Sequence, residues 1–406
     1  MHKGNVIIAQ SGGPTSVINA SLAGVVEACR DVAEVTGVYG MRWGIEGFLA
    51  GQVVNLAAES KAAIRALRHT PSSALGSSRH KVKDADLPII LERLRAFDIT
   101  ALFMIGGNDT MDTIHRITAH AAGEGCPLTG IGIPKTVDND LYGTDHTPGY
   151  PSAARYTALS VQAAGVLARD MQKVDQYVIY QSIGRDAGWL AASAALARLD
   201  ESDAPHLIYM PERIFDDERF LADVEEAHRR YGYVSIVCGE GIKRADGTPV
   251  SASQTRDKFA NIEYGAMGGT SAALNLHRLI HGRFGWRGEF QITESLPMSA
   301  IDRATKADLE EAYLCGQTAV QLAREGQTGV MVTLERTGND PYACTTGTAP
   351  LAEVAARAKP MGDEMINPAG NFPTAAFLDY ARPLVGELPR FARLKYKRVK
   401  PGKYAK

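Results

Sequence analysis

The sequence predicts an α/β fold with mostly parallel sheets and helices on both faces. Two observations carry that prediction. Short apolar runs alternate with segments whose apolar residues recur at helical spacing. Glycine-rich turns then join several of those runs to the helical segment that follows. At 406 residues, 45% hydrophobic and 22% charged, the chain is long enough for two domains.

Asn5–Gln10 reads as the first strand, and Ile18, Leu22, Val25 and Cys29 follow at helical spacing. Ala101–Ile105 is a second strand, followed by Met111, Ile114, Ile117 and Ala121 in a helical pattern. Thr129–Ile133, Tyr177–Gln181, Leu207–Met210, Val234–Cys238 and Val330–Leu334 continue the series. Pro148-Gly149-Tyr150-Pro151 suggests a domain boundary. The expected division is 1–150, 151–345 and a C-terminal extension at 346–406, with part of 265–320 allowed to return to the first domain. The extension carries Pro360, Pro368, Pro373, Pro383 and Pro389 and a basic end from Lys395 to Lys406. It reads as an appended surface segment with a solvated tail.

Composition excludes several classes. A net charge of -2 gives no reason to expect nucleic acid or an anionic membrane as partner. No apolar run is long enough to span a bilayer, and Val6-Ile7-Ile8-Ala9 is too short for a signal-peptide core. The five cysteines (Cys29, Cys126, Cys238, Cys315, Cys344) are scattered and lack metal-ligand spacing. They read as reduced thiols of a cytoplasmic protein.

Four segments at strand ends carry candidate chemistry. Ser11-Gly12-Gly13-Pro14-Thr15-Ser16 opens a helix, where glycines let a phosphate approach free amides at a positive dipole end. Thr15 or Ser16 can cap that helix. A tight turn explains the segment equally well. Gly106-Gly107-Asn108-Asp109-Thr110 repeats the arrangement at another strand. Asn108 and Asp109 could hold a cation, and Thr110 or Asp109 could cap. Pro134-Lys135-Thr136-Val137-Asp138-Asn139-Asp140 offers two carboxylates and a lysine. A carboxylate there can take a proton from an attacking hydroxyl, and the lysine can neutralise phosphate. Alone, Asp-Asn-Asp is more often a polar turn. In Ile183-Gly184-Arg185-Asp186-Ala187-Gly188 the arginine can stabilise a phosphoryl group in transfer, or simply form a surface ion pair. No G-x-G-x-x-G follows a strand, which removes the main support for a dinucleotide-dependent oxidoreductase.

In combination and order these segments, with Gly76-Ser77-Ser78-Arg79, resemble the 6-phosphofructokinase family over roughly residues 5 to 335. The resemblance implies two Rossmann-like α/β domains with an active site in the cleft between them. It also implies Mg²⁺ as cofactor and a homodimer or homotetramer. Pyrophosphate and a sugar phosphate are the implied partners. The pyrophosphate-dependent branch is indicated by Asp109, where ATP users carry glycine, and by Lys135. A carboxylate at 109 crowds and repels an α-phosphate bearing adenosine. Carried over by resemblance, Asp138 is the general base, with Thr136 and Asp140 orienting it and the acceptor. Gly12 offers its amide to the transferred group, and Arg185 stabilises charge. Gly12, Gly13, Arg79, Gly106, Gly107, Asp109, Thr110 and Lys135 line the donor site. Thr136, Asp138, Asp140, Ile183, Gly184, Arg185 and Glu240 face the acceptor.

Two departures stand out. Asn108 stands where the resembled family usually has an aspartate that ligates magnesium, leaving Asn108 and Asp109 as metal candidates. In Ser295-Leu296-Pro297-Met298, which the resemblance makes the acceptor loop, Met298 falls where the family has an arginine expected to help hold the sugar 6-phosphate. Arg287 is the first candidate to replace it, with Arg283 or a neighbour's Lys173 behind it. The expected activity is phosphoryl transfer from pyrophosphate to the 1-hydroxyl of fructose 6-phosphate. The same donor chemistry on another sugar, sugar phosphate or polyol stays open, as does, remotely, a non-catalytic phosphate-binding regulator.

Overall fold

The computed structural model describes residues 1–78, 80–253, 255, 269–397 and 399. The chain begins with β1 (Gly4–Gln10), α1 (Ile18–Cys29), β2 (Val35–Met41), α2 (Gly44–Leu49), β3 (Val53–Asn55), α3 (Lys61–Leu67) and α4 (Asp86–Ala96). Next come β4 (Ile99–Gly106), α5 (Asn108–Gly123), β5 (Thr129–Pro134) and the long α6 (Tyr150–Met171). The middle holds β6 (Tyr177–Ser182), α7 (Trp189–Ser193), β7 (Leu207–Tyr209), α8 (Asp217–Tyr231), β8 (Val234–Gly239), α9 (Ala272–Phe284) and β9 (Gly288–Ile292). The chain ends with α10 (Lys306–Arg324), β10 (Val330–Asn339), β11 (Tyr342–Pro350), α11 (Leu351–Ala356) and α12 (Ala375–Val385).

Among the described residues the strands form two sheets. The larger runs β11-β10-β5-β4-β1-β2-β3, and the smaller runs β7-β8-β6-β9. The inner strands pair in parallel, with antiparallel β3 and β11 at the edges of the larger sheet. The smaller sheet is parallel throughout. Strands β5, β6 and β8 are buried along their whole length, which is why they read as continuous apolar runs.

Register brings the candidate segments together. Gln10 lies opposite Ile105, and Gly106 opposite Pro134. The turns after β1, β4 and β5 are therefore neighbours at one sheet edge. The chain departs from β1 in opposite directions to β2 and to β4, so this edge is a topological switch point, where open α/β sheets bind ligands. In the smaller sheet Ser182 lies opposite Gly239, which sets Gly184 beside Glu240.

The C-terminal third departs from the expected division. β10 and β11 complete the larger sheet instead of belonging to a second domain ending at 345. α10, mostly within the 265–320 segment allowed to return to the first domain, packs on α1, where Gly24 and Gly316 let the two backbones approach. Nor is 346–406 merely an appended surface segment. Phe377, Ala381, Leu384 and Val385 are buried in the core that holds Tyr150 and Trp189. The proline count hid this. Those four apolar residues already stand at i, i+4, i+7 and i+8, one face of a helix. Phe377→Ala should therefore lose about 3–5 kcal/mol of stability in a urea or thermal melt. A loss below about 0.5 kcal/mol, the range of surface substitutions, would return α12 to the surface.

Candidate active site

Lys135 is the centre of the expected donor side. Its amide donates to Gly106 O at 3.1 Å, and its ammonium donates to Gly13 O at 2.6 Å. The buried lysine thus ties the first and second glycine turns together. Gly12 takes φ +76, and a Cβ there would stand 3.2 Å from Lys135 Nζ. Glycine is required by conformation and by the close cation. Ser77 Oγ donates to Gly12 O at 2.5 Å, and Gly12 N donates to Ser78 O over a long 3.4 Å. The segment before Arg79 therefore joins this turn. Arg79 itself lies outside the described residues.

Neither helix at these turns is capped by a side chain. Val17 and Gly107 occupy the cap positions of α1 and α5. Thr15 Oγ1 accepts from Val17 N at 3.3 Å, ahead of the helix, and Ser16 Oγ is buried with no partner. Thr110 turns back over Gly106, and Asp109 stands exposed in the first turn of α5, where the helix dipole favours a negative charge. The expected caps are absent, so no side chain covers the Asn108 and Asp109 amides that open α5, whereas Thr110 N donates to Gly107 O at 2.9 Å; an uncapped helix start of this kind favours an anion.

The loop after β5 holds the carboxylates. Asp138 N donates to Thr136 Oγ1 at 3.2 Å, and Asp140 Oδ2 accepts from Asn108 Nδ2 at 2.8 Å. Asn139, at φ +58, faces the other way. Its side chain donates to Tyr380 OH at 2.8 Å and accepts from Thr147 N at 3.0 Å. Burial raises the Asp138 carboxyl to about 7. The nearby negative charges of Asp140 and Glu240 add to this, and Lys135 and Arg185 oppose it. Burial also raises Asp140, against its own backbone amide and the charges of Lys359 and Lys135.

Across the cleft, Gly184 adopts φ +117 and donates its amide to Glu240 Oε1 at 3.4 Å. Glu240 N donates to Ser182 O at 2.9 Å. A Cβ at Gly241 would collide with the Arg185 carbonyl, so the two turns interlock only with glycine there. Burial lifts Glu240 to about 7, with Arg185 pulling it down. Ile183 is half-buried against the core. Acidic and basic groups from both sheets therefore converge on Asp138.

The family described as Phosphofructokinase matches residues 5–286. The chain belongs to this family. A pyrophosphate–fructose 6-phosphate 1-phosphotransferase of Halomonas elongata is 39% identical over 415 aligned residues, covering 98% of each chain. A sulfofructose kinase of Alkalicoccus urumqiensis is 32% identical over 356 residues, covering 86% of this chain and 88% of that one. The crystal structure of a pyrophosphate-dependent phosphofructokinase from Marinobacter aquaeolei superposes with a TM-score of 0.85 at 35% identity, with 98% of each chain covered.

Within this family fold, one predicted acceptor residue is misplaced. Arg287 precedes β9, and its amide donates to Gln176 Oε1 before β6. It is 76% exposed and paired with Asp175 at 3.0 Å. The cleft residues lie past the other end of β6, about 17 Å away by strand rise. Arg287 therefore does not enter the cleft of its own chain. Arg283 pairs with Glu218 at 3.8 Å, away from the cleft. Met298 does enter: a Cβ at Gly13 would meet its Cε.

Residues that sequence reasoning missed stand behind the Asp138 loop. His146 is fully buried between Asp145 and Glu311, at 2.8 Å from each. Burial opposes its charge, but the hydrogen bonds to Asp145 and Glu311 together with their negative charges outweigh burial and raise its pKa. Arg336 and Tyr380 close the network, through Asp145 Oδ2 at 2.9 Å and Asp145 O at 2.8 Å. Asp145 and His146 lie in the same loop as Asp138, seven and eight residues on. That nearness was the available signal. Tyr380 and Lys359 carried none.

Proposed function

We propose that this chain transfers a phosphoryl group from pyrophosphate to the 1-hydroxyl of fructose 6-phosphate. The observation carrying this reading is Asp138, a carboxylate at a strand end between the donor-side Lys135 and Arg185 across the cleft. Asp138 takes the hydroxyl proton as that oxygen attacks the terminal phosphorus. The bridging P–O bond breaks, and orthophosphate leaves. Lys135, the Gly12 amide and the α5 amides hold pyrophosphate, the Gly12 amide exchanging its long bond to Ser78 O for a phosphoryl oxygen. Arg185 meets the charge on the transferring group, and Glu240 meets sugar hydroxyls.

Magnesium fits this donor set in a limited way. Among the described residues no group of three or more His, Cys, Asp or Glu could hold a metal. Mg²⁺ keeps several waters and needs only one or two protein oxygens beside substrate phosphates. Asn108 Oδ1 is a buried oxygen without a hydrogen-bond partner, and Asp109, the next residue of α5, is exposed. These two would hold the ion, which would supply charge neutralisation on pyrophosphate. We also assign residues 1–149 and 306–350 to one lobe and 150–305 to the other, in a homodimer or homotetramer acting in the cytoplasm. No helix among the described residues is long and apolar enough to cross a membrane.

A second reading keeps the donor and changes the acceptor. Met298 against Gly13 favours it, because it places an apolar group where the resemblance puts a phosphate-binding arginine. Purified protein with magnesium and pyrophosphate, assayed against fructose 6-phosphate, its 6-sulfo analogue, free sugars and polyols, decides between the two. Turnover of fructose 6-phosphate supports the first reading. No turnover of it beside phosphorylation of another acceptor supports the second. The base also predicts a pH profile. Asp138 must be ionised to accept a proton, so kcat/KM should fall about tenfold per pH unit below about pH 7 and level off above it. A profile flat from pH 5 to 8 would remove Asp138 as the base.

A further inference from the structure

The loop bearing Asp138 and the loop bearing Arg185 come from different sheets, yet one short segment touches both. Ala358 makes an antiparallel bridge to Leu141. Lys359 N donates to Asp140 O at 2.7 Å. The Lys359 ammonium donates to Thr144 O at 3.1 Å and to Asp145 O at 2.8 Å. All of these contacts hold the base loop. The same segment then reaches the arginine loop. Lys359 O accepts from Trp189 Nε1 at 3.3 Å, and the ammonium lies 5.1 Å from the centre of the Trp189 ring. Glu212 Oε1 accepts from both Met361 N at 3.4 Å and Gly188 N at 2.7 Å. Trp189 and Gly188 directly follow the Gly184–Ala187 turn.

We propose that residues 358–361 form a strap that fixes the base loop and the arginine loop relative to each other, with Lys359 as its positioning residue. The strap lies outside residues 5–286, the part of the chain that the family description matches. Lys359 does not reach substrate, because its ammonium is committed to two loop carbonyls and an aromatic face. Its effect runs through geometry. Phosphoryl transfer needs the base, the acceptor oxygen, the phosphorus and the arginine in one alignment, and a shift of about 1 Å can cost on the order of 10²-fold. A cation that bonds two carbonyls of one loop, while its own carbonyl is held by the other, sets that alignment from behind. Glu212 plays the matching part at the far end, joining strap and arginine loop through one oxygen.

This inference rests on the roles given above to Asp138 and Arg185, so its test includes a readout independent of activity. Hydrogen–deuterium exchange of the full-length chain compares wild type, Lys359→Met and Lys359→Arg. Lys359→Met should speed exchange both in 138–147 and in 184–190, although 184–190 lies far from position 359 in sequence. In the pyrophosphate assay the same variant should lose about 10- to 100-fold in kcat with KM for pyrophosphate within about threefold. Lys359→Arg, which keeps a cationic donor, should recover most of both. Should Lys359→Met fail to fold, Glu212→Ala cuts the strap at its other end and should loosen the same two loops. Faster exchange confined to one loop, no change in either, or a loss carried by KM overturns the strap. Absence of pyrophosphate-dependent transfer by the wild type, or full activity of an Asp138 variant, instead fails the proposed function. The exchange result still decides the strap in that case.

Discussion

Asp138→Asn should lower turnover by about 10²–10⁴-fold, the usual contribution of a general base, and leave the fold intact. The substitution keeps size and shape but removes the ability to accept a proton. Stability separates this outcome from damage. The folded protein holds the Asp138 proton up to about pH 7, far above the 3.8 of an unperturbed aspartate. Its contribution to stability is therefore present below about pH 4 and lost as pH rises toward 7. Asparagine has no such dependence. At pH 8 it also relieves a buried negative charge beside Asp140 and Glu240. The variant should melt at or above the wild-type temperature at pH 8 while being catalytically crippled. Near wild-type turnover would remove Asp138 from the mechanism. A lower melting temperature would mean that the lost activity reflects damage to the loop.

How much of this was legible in the sequence follows from what kind of contact each residue makes. Parallel strands declare themselves as apolar runs, and all of them deliver their following turns to one edge. Gly12, Gly106 and Lys135 could therefore be grouped without knowing a single distance. Gly184 and Glu240 follow by the same logic in the second sheet. Arg287 shows where it breaks. It stands close in sequence to the loop at 295–298, but β9 lies between them and carries the chain from one end of the sheet to the other. The hairpin β10–β11 was only half visible, because β11 alternates small polar residues with few apolar ones. Lys359 was invisible for another reason. Its partners Asp140, Thr144 and Asp145 lie more than two hundred residues away, and no local pattern marks a lysine whose work is to hold carbonyls.

Donor choice should rest on Lys135 and Asp109 together. Lys135→Met should lower kcat/KM for pyrophosphate by about 10²–10³-fold, the cost of removing one preorganised charge donor from a transition state. The ammonium is buried, bonded to Gly13 O and close to Gly12, so no surface lysine can substitute for it. A compact cation suits a small, highly charged donor that brings no adenine to recognise. In the proposed function Asp109 acts by exclusion. Exposed in the first turn of α5, it is stabilised by the helix dipole and sets a carboxylate at the mouth of the donor turn. An α-phosphate bearing adenosine would meet that charge and bulk, whereas pyrophosphate ends before it. Wild-type protein should accordingly use pyrophosphate far better than ATP. Asp109→Gly should narrow the gap mainly by admitting ATP, leaving KM for pyrophosphate within a few-fold. Steady-state rates with each donor at fixed acceptor measure both effects. Efficient ATP turnover by the wild type with pyrophosphate inert would refute the donor assignment. An Asp109→Gly variant that gains nothing with ATP would show that the exclusion lies elsewhere in the cleft.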